Sequence, residues 1–160
     1  MVLQLFVDLD GVLADFDKRV RELTGRHPSD LPPQVMWSRI AKTPDFYNSL
    51  DWMADGGILW EGVKPWKPTI LTGLPRGSWA EGQKREWCRR HLGENIRVIT
   101  CMSKEKAEKA WESTQGLGLH VLIDDRLSLK GPWEAKGGRF IHHSSASQSL
   151  EILSSLGEQP

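Results

Sequence analysis

Two pairs of aspartates stand where chemistry is usually done. Asp8-Leu9-Asp10-Gly11-Val12 follows the apolar run Val2–Val7, and Asp124-Asp125 follows Val121-Leu122-Ile123. Both runs have the composition of buried strands, and open α/β sheets bind ligands beyond the carboxyl ends of their strands. If the two strands are neighbours, four carboxylates converge on one pocket edge. Like charges that close do not all stay ionised without help, and a bound cation is the simplest remedy. An all-oxygen donor set with no His or Cys beside it points to Mg²⁺ rather than zinc, and Mg²⁺ held this way commonly awaits a phosphate. One strand-end Asp alone would read as a turn or helix cap. Two pairs, one of them Asp-x-Asp-Gly, carry the metal reading.

Two further segments suit an anion. Thr72-Gly73 ends the run Thr69–Thr72, where a hydroxyl and backbone N–H groups can meet phosphate oxygens, although Thr-Gly is also a common turn. Ser103-Lys104-Glu105-Lys106 follows Arg97–Thr100. Ser103 as N-cap would put two lysines in a first helical turn, against the helix dipole. A sequence that accepts this cost suggests cations facing an anion. The plainer alternative is a pair of solvated surface lysines.

The elements that must position these groups follow from patterning. Five short apolar runs read as strands: Val2–Val7, Thr69–Thr72, Arg97–Thr100, His120–Ile123 and Arg139–His142. They show little in/out alternation, as expected for strands covered on both faces. Phe16, Val20 and Leu23 share a helix face that Gly25 can end. Ser78–Leu92 carries Ala80, Trp87, Cys88 and Leu92 near one face, Ala107, Ala110 and Trp111 mark a helix after Ser103, and Leu150, Leu153 and Leu156 mark a last one. Strands alternating with helices predict an α/β domain with a five-stranded parallel sheet. The interval between Asp15 and Pro68 breaks the alternation. It holds six prolines and four of the eight tryptophans, Trp37, Trp52, Trp60 and Trp66. It is far longer than an ordinary crossover and predicts a small helical insert.

Composition narrows the class. Lys and Arg total 21, Asp and Glu total 21, and the net charge is zero, which argues against a protein held on nucleic acid mainly by phosphate neutralisation. No apolar run approaches the ~20 residues of a membrane helix. The N-terminus lacks a basic region ahead of its apolar run and carries Asp8 and Asp10, so it does not read as a signal peptide. Cys88 and Cys101 form no metal or redox motif and read as reduced thiols in a cytoplasmic protein.

Taken in order, the four blocks resemble the motifs of the haloacid dehalogenase (HAD) superfamily: Asp8-Leu9-Asp10-Gly11-Val12, then Thr72, then Lys106, then Asp124-Asp125. The longer string through Leu13-Ala14-Asp15-Phe16, with Leu122-Ile123-Asp124-Asp125-Arg126, is most similar to the 5′(3′)-deoxyribonucleotidase branch. The resemblance implies a three-layer Rossmann-like core of residues 1–15 and 68–160 with a small helical cap at 16–67. It implies a Mg²⁺-dependent phosphomonoesterase in which Asp8 attacks phosphorus and forms an aspartyl-phosphate, and Asp10 serves as acid and then base. Asp8, the Asp10 backbone carbonyl and Asp124 would hold the metal, and Asp125 would support it. Thr72, Gly73 and Lys106 would bind the phosphoryl group. The substrate implied is a small phosphorylated metabolite such as a nucleoside monophosphate. Another small phosphate ester, a nucleic-acid 3′-phosphate end, or a catalytically silent binding domain remain as alternatives. Ser-x-x-Lys spacing selects Lys106 over Lys104.

Other residues read more plainly. Lys84-Arg85 and Arg89-Arg90, interleaved with Glu81, Glu86 and Glu94, read as a solvated helix face. His142-His143 would lie at a sheet edge, away from any carboxylate pattern. Arg126 suits either substrate contact or a carboxylate pair that orients its loop. If the substrate carries a base, at least one insert tryptophan should face the pocket.

Overall fold

The computed structural model describes residues 2–160. Five strands, β1 (Leu3–Val7), β2 (Thr69–Gly73), β3 (Val98–Cys101), β4 (Leu119–Asp124) and β5 (Arg139–His142), form one parallel sheet in the order β3-β2-β1-β4-β5. Seven α-helices connect and cover them: α1 (Phe16–Thr24), α2 (Pro33–Ala41), α3 (Gly56–Val63), α4 (Glu81–His91), α5 (Lys106–Thr114), α6 (Lys130–Ala135) and α7 (Ala146–Leu156). The five predicted strands are all present, with ends shifted by a residue or so.

Side chains alternate across the sheet and build two cores. Leu5, Val7, Ile70, Val121, Ile123 and Ile141 face one layer, where Val20, Ile40, Leu59, Trp87 and Leu153 from α1, α2, α3, α4 and α7 meet them. Phe6, Leu71, Leu122 and Phe140 face the other, against Ala110 of α5 and Trp133 of α6. The unalternating apolar runs are thus explained by helices on both faces of the sheet.

Topology fixes where the ends of β1 and β4 lie. From β1 the chain moves outward through β2 to β3, then crosses back over the opposite face by α5 to place β4 on the free side of β1. Register pairs Val7 with Ile123, and the Asp8 N–H donates to the Ile123 carbonyl at 2.9 Å. The two aspartate pairs therefore leave the sheet side by side at the switch point.

Between β1 and β2 the chain runs through α1, α2 and α3. Asp15 caps α1 by accepting the Lys18 N–H at 3.1 Å, and Gly25 ends it in the left-handed region at φ 74°. α3 lies against α7, where Gly62 faces the Leu150 side chain. Helix α5 departs from expectation at its start. Ser103 is not its N-cap; residues 103–105 form a 3₁₀ turn in which the Glu105 carboxylate accepts the Met102 N–H at 3.0 Å, and the α-helix begins at Lys106. No helix among the described residues is long and apolar enough to cross a membrane.

Candidate active site

The loop after β1 is built by burying its apolar members. Leu9, Val12, Leu13 and Ala14 are all inside, and the Leu9 carbonyl accepts the N–H groups of Leu13 and Ala14 at 2.9 and 3.0 Å. That turn leaves Asp8 and Asp10 at the floor of a cleft of about 480 Å³. Gly11 has φ 81°, and a Cβ there would run into the Asp125 carboxylate. Glycine thus serves both the turn and the close approach of the second aspartate pair.

Asp8, Asp124 and Asp125 can each bring one carboxylate oxygen within 4.8 Å of the others. Lys106 stands among them. Its Nζ lies 2.9 Å from Asp8 Oδ1 and 2.8 Å from Asp124 Oδ2, and all three side chains are buried. Burial alone would pull the ammonium pKa down, but the charges of Asp8 and Asp124 carry it above the ordinary lysine range. Burial, followed by the charge of Asp8, pushes Asp124 up to about 6 and Asp125 up to about 8. One lysine does not neutralise three carboxylates. The hard, all-oxygen donors and their closeness could hold a metal ion.

Asp10 has a lysine of its own. Lys84, on α4, is 1% exposed and donates from Nζ to Asp10 Oδ2 at 2.8 Å, to Thr72 Oγ1 at 3.0 Å and to the Gly73 carbonyl at 2.6 Å. It also lies 4.4 Å from the centre of the Tyr47 ring. Reading Lys84 as part of a solvated face is corrected by this geometry. Its position was available in the sequence, since Ala80, Lys84, Trp87 and Cys88 share the i, i+4, i+7, i+8 stripe that packs inward. Asp10 Oδ1 is buried and has no partner. Burial raises the Asp10 pKa, and Lys84 opposes that rise.

The remaining predicted residues fall in different places. Thr72 is fully buried, with its hydroxyl engaged by Lys84, so it is Gly73, Leu74 and Pro75 that line the cleft. Gly73 admits Ser103, whose side chain would collide with a Cβ at that position. Lys104 is exposed and lies outside this cleft. Arg126 lines it without a carboxylate partner, and its backbone N–H donates to Asp124 Oδ1 at 2.9 Å. His142 and His143 are not remote from the carboxylates. His142 Nε2 lies 3.1 Å from the Asp125 carbonyl, and the His143 N–H donates to the Asp124 carbonyl at 2.9 Å. Both cysteines are free and buried; burial first, then the charge of Asp10, pushes Cys88 up to about 12, so it stays a neutral packing group.

Part of the cleft lining is aromatic. Phe16, Trp37 and Tyr47 form it, with ring centres 5.9 Å apart for Phe16–Trp37 and 6.2 Å for Phe16–Tyr47. Trp37 keeps 37% of its surface exposed, whereas Trp60 is buried and Trp52 packs on Trp87. One insert tryptophan thus faces the cleft. Phe16 and Tyr47 were not singled out as pocket residues, because their place depends on how the insert folds back.

No protein-family model matches the chain, and no curated protein matches it. Among solved structures, one described as the crystal structure of a hydrolase from Streptococcus pneumoniae TIGR4 superposes with a TM-score of 0.61. The two are 13% identical, over 96% of this chain and 100% of that one. At that identity the likeness is one of fold, and it places this chain in the same α/β architecture.

Proposed function

We propose that the protein is a HAD-type phosphomonoesterase that works through an aspartyl-phosphate on Asp8 and requires Mg²⁺. The observation that carries this reading is the meeting of Asp8, Asp124, Asp125 and Lys106 beyond the ends of the two central strands, in the lining of one cleft. The order of the sequence motifs and the hydrolase named for the structural neighbour support it.

The residues divide the work as follows. Lys106 holds Asp8 by one carboxylate oxygen, leaving the other to attack phosphorus. As the Asp8–phosphorus bond forms, the bond to the leaving alkoxide breaks, and Asp10 gives that alkoxide a proton. A carboxyl raised by burial is suited to holding this proton, and the Lys84 contact at 2.8 Å fixes its orientation. In the second half Asp10 takes a proton from the water that attacks the phosphoryl group, and phosphate and free Asp8 result. Mg²⁺, when held by Asp8, Asp124 and Asp125, would supply positive charge to the phosphoryl oxygens. Lys106 supplies further charge at the same place. Thr72 contributes through Lys84, and the Gly73–Pro75 segment forms the nearby cleft wall.

For the substrate we infer a small ester bearing a flat ring, such as a nucleoside monophosphate. Trp37 and Phe16 support this, because they line the same cleft as Asp8 with aromatic surface. They belong to the 16–67 segment, for which we propose the role of a cap. The test is phosphate release with Mg²⁺ from nucleoside 5′- and 3′-monophosphates, sugar phosphates and 3′-phosphorylated oligonucleotides. Magnesium-dependent release that is abolished in Asp8→Asn is expected. Near-wild-type release by Asp8→Asn would overturn the nucleophile assignment.

A further inference from the structure

A second pocket of about 290 Å³ adjoins the first, and the two share Ser103, Lys106 and Arg126. Beyond that common wall the second pocket adds Lys104 and Ser128 above an apolar floor of Leu129, Pro132 and Trp133. Three cations, Lys104, Lys106 and Arg126, and two hydroxyls line it with no carboxylate.

Lys104 is the part of the Ser103–Lys106 motif that the first site does not use. Its charge stands in the 3₁₀ turn that leads into α5, where the helix dipole disfavours it. For Lys106 that cost is offset by Asp8 and Asp124. The Lys104 side chain makes no ion pair or hydrogen bond among the described residues, and the Arg126 contact to Asp124 runs through its backbone rather than its guanidinium. Two uncompensated cations thus face one groove, next to the place where a phosphoryl group would react. The apolar floor keeps water from one side of the groove, which strengthens pairing with an anion.

We propose that this pocket is a subsite for a second phosphoryl group carried by the same substrate molecule. The inference rests on the phosphomonoesterase reading and names a narrower substrate class within it. With the reacting phosphate at Asp8 and Lys106, one direction from that point leads to the Trp37 wall and the other leads past Arg126 to Lys104. A nucleoside 3′,5′-bisphosphate can occupy both directions at once. A nucleic-acid end with a terminal 3′-phosphate presents the same chemistry through its next phosphodiester.

The test compares adenosine 3′,5′-bisphosphate, adenosine 5′- and 3′-monophosphates and a 3′-phosphorylated dinucleotide on wild type, Lys104→Ala and Lys104→Glu. Charge-assisted contacts predict a KM about tenfold lower for the bisphosphate than for either monophosphate. Lys104→Glu should erase that advantage while leaving both monophosphates within about twofold of wild type, and 0.5 M salt should shrink it. A Lys104-dependent gain with the bisphosphate alone assigns the second phosphate to a small molecule, and a gain of equal size with the dinucleotide assigns it to a polynucleotide end. Identical behaviour of Lys104→Glu and wild type towards bisphosphates and monophosphates would overturn the subsite. If no ester is turned over, the phosphomonoesterase reading falls separately. Calorimetric titration of the bisphosphate into wild type and Lys104→Glu then decides the subsite: tighter binding by wild type supports it, and equal binding removes it.

Discussion

Lys106 answers for two buried carboxylates at once, so it belongs to the stability of the molecule as much as to the proposed chemistry. Lys106→Met leaves Asp8 and Asp124 buried without their counter-charge. Removing one partner of a buried ion pair costs ~3–5 kcal/mol, and urea unfolding should read a loss of that order. The raised carboxyls give a pH signature. Asp124 at about 6 and Asp125 at about 8 hold protons in the folded state that the unfolded chain releases near pH 4. Between those limits the folded state binds more protons, so stability falls as pH rises. Without metal, the Tm should decline from pH 5 to pH 8. Mg²⁺, which needs these carboxyls ionised, should raise the Tm more at pH 8 than at pH 5.5. A metal-free Tm that climbs over this range would refute the charge assignment. Asp8, Asp10, Asp124, Asp125 and Lys106 were legible in the sequence because each sits at a strand end or one helical turn beyond. Lys84 was not read correctly, although it lies on the apolar stripe of α4. Its partner Asp10 is 74 residues away, and no local pattern joins them.

At the scale of elements, the site depends on turns that let two strand ends come close. Gly11→Ala tests this. Holding a non-glycine residue at φ 81° costs ~1–2 kcal/mol, and the added Cβ meets the Asp125 carboxylate. A weaker Mg²⁺ response of the Tm should accompany the lower stability, because Asp125 must move. Gly11→Ala with wild-type metal response would remove Asp125 from the proposed ion site. The five strands were readable because burial on both faces makes them nearly continuous apolar runs. The start of α5 was misjudged for a local reason. Ser103 is packed against Gly73, while Glu105 satisfies the Met102 N–H, so a 3₁₀ turn precedes the helix.

At the scale of the whole molecule, the insert and the sheet share one core: Ile40, Phe46, Tyr47 and Leu59 pack in the same cluster as Val7 and Ile70. Tyr47 and Phe16 of the cleft lining are therefore tied to the core that carries β1. Trp37→Ala should raise KM for nucleoside monophosphates severalfold, since stacking on an aromatic ring contributes about 1–3 kcal/mol per base. It should leave KM for a small ester such as glycerol phosphate nearly unchanged. Equal effects on both substrates would move Trp37 out of base recognition. That helices and no further strand of the sheet lie between β1 and β2 was visible from the prolines and length of that interval. Which of its rings reach the cleft depended on the return path from α2 to Tyr47, which no periodicity encodes.

The central place of β1 also governs the order in which the protein can be completed during synthesis. β1 is made before both of its partners, β2 and β4, so it waits for residues 69–73 and then for residues 119–124. Domains form as units while the chain emerges at ~5–20 residues per second, so the last neighbour of β1 arrives roughly 2–10 seconds after the first. Until then Asp8 has neither Lys106 nor Asp124 beside it, and one edge of β1 is open. A nascent chain stalled with residue 124 still inside the exit tunnel should therefore expose that edge to pairing with other chains, whereas one whose α7 has cleared the tunnel should not.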